Sequence, residues 1–385
     1  MSAGGQSARG RRVLVVVGTR PEAIKLAPVI TALGRVADGF DVKVCVTGQH
    51  REMLQPVLDL FGIVPDYDLE LMTPNQSLSG MTSAVLTKTT EVLEALRPDW
   101  VMVQGDTTTA FGASLAAFYL GSRVAHVEAG LRTGDMHQPF PEEANRRIVD
   151  ILTNLHFAPT ERARRNLLGE GADPATVYVT GNTVIDALQY VLARAYDIAE
   201  SPLAGIPFAR RIVLVTAHRR ESFGQGLSAI CAALRRLADA YDDVQVVYPV
   251  HLNPNVRGPV HQRLGGHPRI SLIPPLDYVS LVQLMRRCTL ILTDSGGIQE
   301  EAPTLGKPVL VLRASTERPE AVEAGCARIV GTDPSVIVEE ARRLLDDAEA
   351  YEAMARVANP FGDGRASDRI VSLLRSSDLV GRKAA

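Results

Sequence analysis

Short apolar segments alternate with amphipathic segments along the chain. The first half contains VLVVV, VKVCV, WVMVQ, RVAHV and VYVT, at residues 13–17, 42–46, 100–104, 123–127 and 177–180. The second half contains IVLVT, VQVVYP, ISLI, LILT and PVLVL, at residues 212–216, 244–249, 270–273, 290–293 and 308–312. Because strands buried on both faces read as continuous apolar runs, these segments predict parallel sheets covered by helices.

The number of predicted strands and the length of the chain both indicate two domains. An ordinary doubly wound sheet has about six strands, and 385 residues exceed what one hydrophobic core usually supports. A division is expected near residues 183–211, where a helical segment leads into the linker SPLAGIPFARR. We predict an α/β fold of two Rossmann-like, doubly wound domains facing across a cleft that holds the ligand. A (β/α)₈ barrel is the alternative, because βα units alternate there too.

Composition excludes several classes of protein. A net charge of −3 and a pI of about 6.3 argue against a nucleic-acid-binding surface. No uncharged apolar run approaches the roughly 18–20 residues of a membrane span. The segment MSAGGQSARGRR predicts a disordered leader over residues 1–12 rather than a signal peptide. The four cysteines form no C-x-x-C pair, which indicates free thiols in a reducing cytoplasm.

Charged residues follow the predicted strands of the first half, where ligands of open α/β sheets bind. GTRPEAIK places Arg20 and Lys25 after the first strand, and both suit a diphosphate, although either could be an ordinary exposed helix residue. Asp106 follows WVMVQ, and Glu128 directly follows RVAHV. A carboxylate at the end of a buried strand needs a partner or a function. The segment PFPEEANRR adds Glu142 and Arg146, so acid–base chemistry and helix capping both remain open.

The second half presents groups suited to an anionic ligand. His218 follows one strand within AHRRESFG, and His251 follows the next within VHLNPNVR. Ser295, Gly296 and Gly297 would expose backbone N–H groups at a helix start, which favours an anion, although a tight turn explains them equally well. Histidine and carboxylate spacings match no standard zinc pattern, so we predict no metal site.

Together these segments resemble the non-hydrolysing UDP-N-acetylglucosamine 2-epimerase family. The matching segments, between about residues 13 and 371, are GTRPEAIKLAPVI, TGQHREML, GDTTTA, HVEAGLRTGD, PFPEEANRR, TGNTVIDAL, TAHRRESFG, YPVHLNPNVR, LTDSGGIQEEAPTLGKPVLVLR, TERPEAVEAG and NPFGDGRASDRI. Each segment alone is weak, whereas the set in this order is specific.

The resemblance implies a GT-B architecture. Its first domain, with the catalytic carboxylates, would contain residues 13–182 and 362–385, and its second, binding UDP, residues 183–361. It implies reversible conversion of UDP-GlcNAc to UDP-ManNAc without NAD or a metal, through loss of UDP to a 2-acetamidoglucal and its re-addition. It also implies a cytoplasmic homodimer that supplies UDP-ManNAc for cell-envelope polysaccharides, with no nucleic-acid or membrane partner.

The resemblance also implies roles for individual residues. Asp106, Glu128 and Glu142 would transfer protons, with His218 beside them in the catalytic set. The groups that would bind the diphosphate and intermediate are Arg20, Lys25, Arg146, His218, His251 and Arg318. Ser295, Gly296 and Gly297 would hold phosphate, Glu301 rather than Glu300 the ribose, and backbone near Leu276 the uracil.

Regulation by a second UDP-GlcNAc is a further implication. The matching positions are Gln49, Glu52, His218 and Glu221. Asn75 stands where the family often has an arginine, so the cation for the activator's phosphate is in question.

Three other functions compete with this interpretation. A hydrolysing 2-epimerase would release ManNAc and UDP from the same site. A GT-B glycosyltransferase would need an acceptor groove, and no segment of the sequence indicates one. A catalytically silent nucleotide-sugar sensor would need the phosphate and ribose groups but not three carboxylates.

Overall fold

The computed structural model describes residues 10–36, 39–48, 51–72 and 76–377. These residues form two compact units. Unit 1 contains the chain up to Ala187 and again from Gly362, and unit 2 contains Leu188–Phe361.

Unit 1 is built on a sheet of seven parallel strands in the order β3-β2-β1-β4-β5-β6-β7. The strands are β1 Arg11–Val17, β2 Phe40–Val46, β3 Tyr67–Asp68, β4 Trp100–Gln104, β5 Arg123–Val127, β6 Leu155–Ala158 and β7 Val177–Val179. Its helices are α1 Arg20–Gly34, α2 Arg51–Phe61, α3 Leu78–Leu96, α4 Thr108–Tyr119, α5 Glu142–Leu152 and α6 Glu161–Gly169. Helices α1 and α2 pack together, as do α3, α4 and α5.

Unit 2 has six parallel strands in the order β10-β9-β8-β11-β12-β13. Helix α7, Thr183–Leu192, spans the boundary between the units. The strands are β8 Arg211–Thr216, β9 Val244–Pro249, β10 Ile270–Ile273, β11 Leu290–Thr293, β12 Val309–Val311 and β13 Ala327–Ile329. The helices are α8 Gln225–Ala240, α9 Pro254–Leu264, α10 Tyr278–Arg287, α11 Gly296–Glu301, α12 Pro319–Ala324, α13 Pro334–Asp346 and α14 Ala348–Ala355.

Helix α15, Ala366–Ser376, belongs to unit 1 and packs on α1. The carboxylate of Asp186 accepts hydrogen bonds from the backbone N–H groups of Ala366 and Ser367, at 3.2 and 2.8 Å. These contacts satisfy two donors at the start of the helix. The guanidinium of Arg11 donates to the carbonyl of Leu374 at 2.7 Å, near its end. Both ends of α15 are therefore attached to unit 1.

The prediction of two doubly wound α/β domains is confirmed, and two open sheets replace the alternative barrel. Both sheets contain the Rossmann strand order, in which the third, second and first strands are followed by the fourth, fifth and sixth. The order reverses between β1 and β4 in unit 1 and between β8 and β11 in unit 2. Ligands of such sheets bind beyond the carboxyl ends of the strands at this reversal.

Strand prediction was incomplete at short or partly polar segments. Strand β3 has two residues, β6 reads LHFA with a buried histidine, and β13 is partly exposed, so none gives a long apolar run. Strand β1 also begins at Arg11, inside the segment predicted as a leader. Arg12 is held there because its backbone N–H donates to Asp99 and its Nε to Asp41, each at 2.8 Å.

Within the described ranges, no helix is both long and apolar enough to cross a membrane. The same residues contain no cluster of three or more His, Cys, Asp or Glu side chains that could hold a metal ion.

Candidate active site

Glu128 and Lys25 form a buried ion pair at the carboxyl edge of the unit 1 sheet. The Nζ atom of Lys25 on α1 lies 2.5 Å from Oε2 of Glu128, and the side chains are 11% and 4% exposed. The amide of Gln104, the last residue of β4, donates to the same oxygen at 2.5 Å. Glu128 has a φ of +66°, a left-handed conformation that is unfavourable for a residue with a Cβ. Tertiary contacts therefore fix this carboxylate just beyond β5.

Asp106 is paired with Arg146 of α5. The Nε and Nη2 atoms of Arg146 lie 3.0 and 2.5 Å from Oδ2 of Asp106. The remaining terminal nitrogen of Arg146 lies 3.1 Å from the buried carboxylate of Glu143. Asn145 also donates its amide to the backbone carbonyl of Asp106 at 3.0 Å. The sequence predicted Arg146 as a diphosphate ligand, but in this geometry its nearest anions are two carboxylates of its own unit.

Glu142 and Glu143 have separate surroundings at the first turn of α5. Glu143 is fully buried and accepts hydrogen bonds from the backbone N–H groups of Thr133 and Gly134, at 3.0 and 3.3 Å. It thereby ties the loop after β5 to the helix. The Oε2 atom of Glu142 is buried and has no hydrogen-bond partner among the described residues. A buried carboxylate oxygen of this kind is uncommon in a folded protein, and a catalytic role is one of the explanations for it.

Glu22 is a buried acid that the sequence analysis did not select. Its carboxylate accepts hydrogen bonds from the N–H groups of Gly18 and Thr19, at 3.2 and 2.6 Å, and from the hydroxyl of Thr107 at 2.8 Å. Burial raises the pKa of Glu22 to about 7, although these hydrogen bonds oppose the rise. Because Thr107 follows Asp106, Glu22 joins the loops after β1 and β4. A Thr-x-x-Glu capping box in TRPE was the available signal.

Asp294 organises the end of β8 in unit 2. It is fully buried after β11, and its Oδ2 accepts from the backbone N–H groups of His218 and Arg219, at 2.6 and 2.7 Å. The Nδ1 atom of His218 lies 3.5 Å from the other carboxylate oxygen. The rings of His218 and His251 stack with centroids 5.3 Å apart and planes 9° apart. The two predicted histidines therefore lie together.

The SGG segment begins helix α11, as predicted. Ser295 is its N-cap residue but makes no side-chain capping hydrogen bond. The guanidinium of Arg318 lies beside this helix start, because a Cβ added to Gly296 would be 3.8 Å from its Cζ. Arg318 also donates to the buried carboxylate of Glu300. One cation and the first N–H groups of the helix thus lie next to each other, an arrangement that suits a phosphate.

Glu300 and Glu301 have different partners, although they are adjacent. Glu300 pairs with Arg318, whereas Oε1 of Glu301 accepts a hydrogen bond from the hydroxyl of Tyr278 at 2.6 Å. Tyr278 is the first residue of α10, directly after the loop that contains the half-buried Leu276. Glu301 therefore lies near the segment predicted to contact uracil. Tyr278 was not predicted as a site residue.

The remaining predicted residues have other surroundings. Arg20 is exposed at the first position of α1. Glu221 accepts from the guanidinium of Arg313, which also pairs with Glu317. Gln49 and Asn75 lie outside the described residues, as does the side chain of Glu52. Of the four positions implied for an activator, only His218 and Glu221 have described side chains.

Unit 1 thus has carboxylates paired with cations after its strands, and unit 2 has two stacked histidines and a helix start beside a guanidinium. Asp106 lies against the guanidinium of Arg146, and Glu128 against the ammonium of Lys25. Asp106 follows β4, and His218 and Asp294 follow β8 and β11, which are strands at the reversals of strand order, whereas Glu128 follows β5, the neighbour of β4.

Comparison with known proteins gives a consistent result. The family Epimerase_2, described as UDP-N-acetylglucosamine 2-epimerase, matches residues 34–375. UDP-N-acetylglucosamine 2-epimerase of Escherichia coli K12 is 54% identical over 374 residues, which cover 96% of this chain and 99% of that protein.

Two solved structures are also similar to this chain over most of its length. The crystal structure of UDP-GlcNAc 2-epimerase from Neisseria meningitidis bound to UDP-GlcNAc matches with a TM-score of 0.89 and 50% identity, covering 94% of this chain and 99% of that one. The Methanocaldococcus jannaschii enzyme in complex with UDP-GlcNAc and UDP matches with a TM-score of 0.79 and 33% identity, at coverages of 94% and 99%. Since these matches extend over nearly the whole chain, the protein belongs to the UDP-N-acetylglucosamine 2-epimerase family.

Proposed function

We propose that the protein interconverts UDP-GlcNAc and UDP-ManNAc by the non-hydrolysing route. The C2–H bond breaks as its proton moves to a protein base, and the C1–O bond breaks as UDP leaves with its electron pair. The product pair is 2-acetamidoglucal and UDP. UDP then adds back to C1, and a proton is delivered to the opposite face of C2.

The observation that carries this proposal is the set of carboxylates in unit 1. The C2 proton is not adjacent to a carbonyl, so it becomes removable only as UDP departs and positive charge develops at C1. Inversion then requires proton-transfer groups on two faces of the sugar. Asp106, Glu128 and Glu142 would supply them, and their partners differ: Arg146, Lys25 and, for Oε2 of Glu142, no described residue.

Unit 2 would bind the UDP moiety. Ser295, Gly296, Gly297 and Arg318 would hold the diphosphate, because the helix start and the guanidinium lie together. His218 and His251 would add donors after β8 and β9, and Arg20 would contribute from the first position of α1. Glu301 would accept hydrogen bonds from ribose hydroxyls, with uracil contacting backbone near Leu276.

Several finer features belong to the same proposal. No cofactor takes part. The cytoplasmic location suits the four buried free thiols. The protein acts as a homodimer, a second UDP-GlcNAc activates it, and UDP-ManNAc supplies the synthesis of cell-envelope polysaccharide.

Proton NMR of the protein with UDP-GlcNAc in deuterated water tests the reaction. UDP-ManNAc signals together with deuterium at C2 of both sugars are the expected result. Free ManNAc with accumulating UDP would instead identify a hydrolysing enzyme. Bound UDP without any turnover would identify a sensor or an acceptor-dependent transferase and overturn the proposal.

A further inference from the structure

His126 is a fully buried histidine in the middle of unit 1, near the end of β5. Its Nε2 atom lies 2.7 Å from the backbone carbonyl oxygen of Gly105. Its Nδ1 atom lies 2.7 Å from Oδ1 of Asp150. A carbonyl and an ionised carboxylate can only accept hydrogen bonds, so both hydrogen bonds form only when each ring nitrogen of His126 carries a hydrogen.

Asp150, the carboxylate beside His126, has a second charged partner. Asp150 accepts from His126 and, through Oδ2, from Arg132 at 2.8 Å. Arg132 in turn lies 2.6 Å from Glu170. Burial opposes the charge on Asp150, but His126 and Arg132 outweigh it and lower the pKa of this carboxyl. Both oxygens of the buried Asp150 carboxylate thus have a partner.

The acceptor of the Nε2 hydrogen bond lies one peptide before Asp106. Gly105 has a φ of +70°, so the chain turns sharply between β4 and this carboxylate. The ring of His126 contacts the carbonyl of Gly105, the residue before Asp106. The amide of Asn145 donates to the carbonyl of Asp106 itself at 3.0 Å. The carboxylate then meets Arg146 at 2.5 Å. The backbone that orients Asp106 is thus fixed at two successive carbonyls.

We propose that His126, kept doubly protonated by Asp150, is a positioning residue that sets the orientation of the Asp106 carboxylate for proton transfer. The inference rests on the proposed function, because it assigns His126 an effect on turnover through Asp106. A displacement of about 1 Å in a catalytic group can cost roughly 10²-fold in rate. Loss of the Gly105 hydrogen bond would lower kcat and leave UDP binding, which belongs to unit 2, nearly unchanged.

His156 provides a matched control. It is the register partner of His126 on the neighbouring strand β6 and is also buried. Its Nε2 atom lies 3.0 Å from the backbone carbonyl of Asp150 and its Nδ1 atom 3.5 Å from the hydroxyl of Thr176. Neither contact reaches the Gly105–Asp106 turn. A histidine in this part of the core with a purely structural role would therefore behave like His156.

The test compares His126→Gln with His156→Gln in the full-length protein. Urea unfolding, UDP binding, KM and kcat are measured for both, together with C2–H exchange in deuterated water. His126→Gln should lower kcat and the exchange rate about 10- to 100-fold relative to His156→Gln. KM and the Kd for UDP should stay within about threefold of the control. Equal kcat values in the two variants would overturn the inference.

A double variant tests whether His126 acts through Asp106. In an Asp106→Asn background, His126→Gln should have no further effect on residual turnover, because the group that it positions has been removed. A full additional loss would assign His126 a different role. If the natural protein does not epimerise UDP-GlcNAc, the proposed function fails. The inference itself fails only where the natural protein is active and the variants disagree with this pattern.

Long-range proton–nitrogen NMR of histidine-labelled natural protein gives a measurement that needs no variant of His126. Two slowly exchanging ring N–H groups are expected for one buried histidine, and these signals should persist in His156→Gln. If every buried histidine ring carried a hydrogen on only one nitrogen, this result would contradict the double protonation proposed for His126.

Discussion

The ammonium of Lys25 lies 2.5 Å from the carboxylate of Glu128, which joins the first helix of unit 1 to the end of its fifth strand. Gln104 donates to the same carboxylate oxygen. Two donors from separate elements hold Glu128 in a left-handed backbone conformation, at a φ of +66°. The carboxylate that we assign to proton transfer is therefore oriented by the fold itself.

Removing the cation should cost more than removing both members of the pair. Lys25→Met would leave the Glu128 carboxylate buried beside an apolar side chain, and the expected loss in free energy of unfolding is about 3–5 kcal/mol. The double variant Lys25→Met/Glu128→Gln should lose less stability than Lys25→Met alone, because no charge is left buried without a partner. Urea unfolding of the natural protein and the three variants measures this coupling.

Lys43→Met is the control for that experiment. Lys43 pairs with Asp66 at 3.0 Å, but both side chains are about one-third exposed, so the expected loss is below about 1 kcal/mol. Equal losses for the buried and exposed lysines would show that the Glu128 pair is no stronger than a surface ion pair.

The carboxylates should matter for turnover far more than for UDP binding. Asp106→Asn and Glu128→Gln should each lower kcat by roughly 10²–10⁴-fold, because an amide cannot transfer the proton. The Kd for UDP, measured by calorimetry, should stay near that of the natural protein, since the proposed UDP ligands other than Arg20 lie in unit 2. Asp242→Asn, on a fully exposed surface side chain, is the control. Near-normal turnover in both site variants would remove these carboxylates from the mechanism.

The apolar pattern predicted ten of the thirteen strands in the described residues, because buried parallel strands leave a continuous signal. The same pattern located the polar residues after each strand, and with them Asp106, Glu128 and the SGG segment. Strand β6 was missed because His156 interrupts its short apolar run. The apolar pattern therefore indicates which residues lie at the carboxyl edge of each sheet.

The partners of those residues were not predictable from spacing. Arg146 and Asp106 are forty positions apart, and Lys25 and Glu128 more than a hundred, so only the strand order brings them together. Both cations suited a diphosphate by residue type, and the structure places each against a carboxylate. His126, within RVAHV, and Asp294, where the run LILT stops, were not predicted as site residues, because their partners are distant in the sequence.

Glu22 should make the stability of the protein depend on pH. Its pKa is raised from 4.5 to about 7 by burial, so the folded state favours the protonated carboxyl. The resulting stabilisation is complete below about pH 4.5 and is lost as the pH rises to about 7. The difference corresponds to roughly 3 kcal/mol in the free energy of unfolding.

Glu22→Gln isolates this contribution because its amide does not titrate. Between pH 4.5 and 7, the natural protein should lose stability relative to Glu22→Gln by that amount in urea unfolding. Glu91→Gln, at an exposed position on α3 beside Lys88, serves as the control and should follow the natural protein. A stability difference between the natural protein and Glu22→Gln that is constant with pH would contradict the raised pKa.

Tyr278 should contribute to ribose recognition through Glu301. Its hydroxyl donates to Oε1 of Glu301 at 2.6 Å, and both side chains are buried. Tyr278→Phe would remove a hydrogen bond to a charged group and should weaken UDP binding by roughly 10-fold. The same substitution should weaken the binding of 2′-deoxy-UDP less, because that ligand lacks one of the hydroxyls from which the Glu301 carboxylate would accept a hydrogen bond.

Tyr196→Phe is the matched control for the ribose experiment. Tyr196 donates its hydroxyl to Ser280 at 2.9 Å in the same unit. The ratio of the two Kd values, for UDP and 2′-deoxy-UDP, should be unchanged in this variant. An unchanged ratio in Tyr278→Phe as well would separate Tyr278 from ribose recognition.

Gly130 should tolerate no side chain, because two separate requirements meet at this residue. It follows Glu128 by two positions and has a φ of +87°, and an added Cβ would lie 2.3 Å from the backbone carbonyl oxygen of Ala163 in α6. Gly62 also has a positive φ, of +65°, but an added Cβ there meets nothing within 4 Å. Gly62→Ala should therefore cost only the left-handed conformation, about 1–2 kcal/mol. Gly130→Ala should cost clearly more in urea unfolding, since the backbone of α6 would have to move. Equal losses of stability in the two variants would show that the left-handed conformation alone accounts for the cost of Gly130→Ala. The close approach of α6 to the loop after Glu128 would then have no energetic consequence.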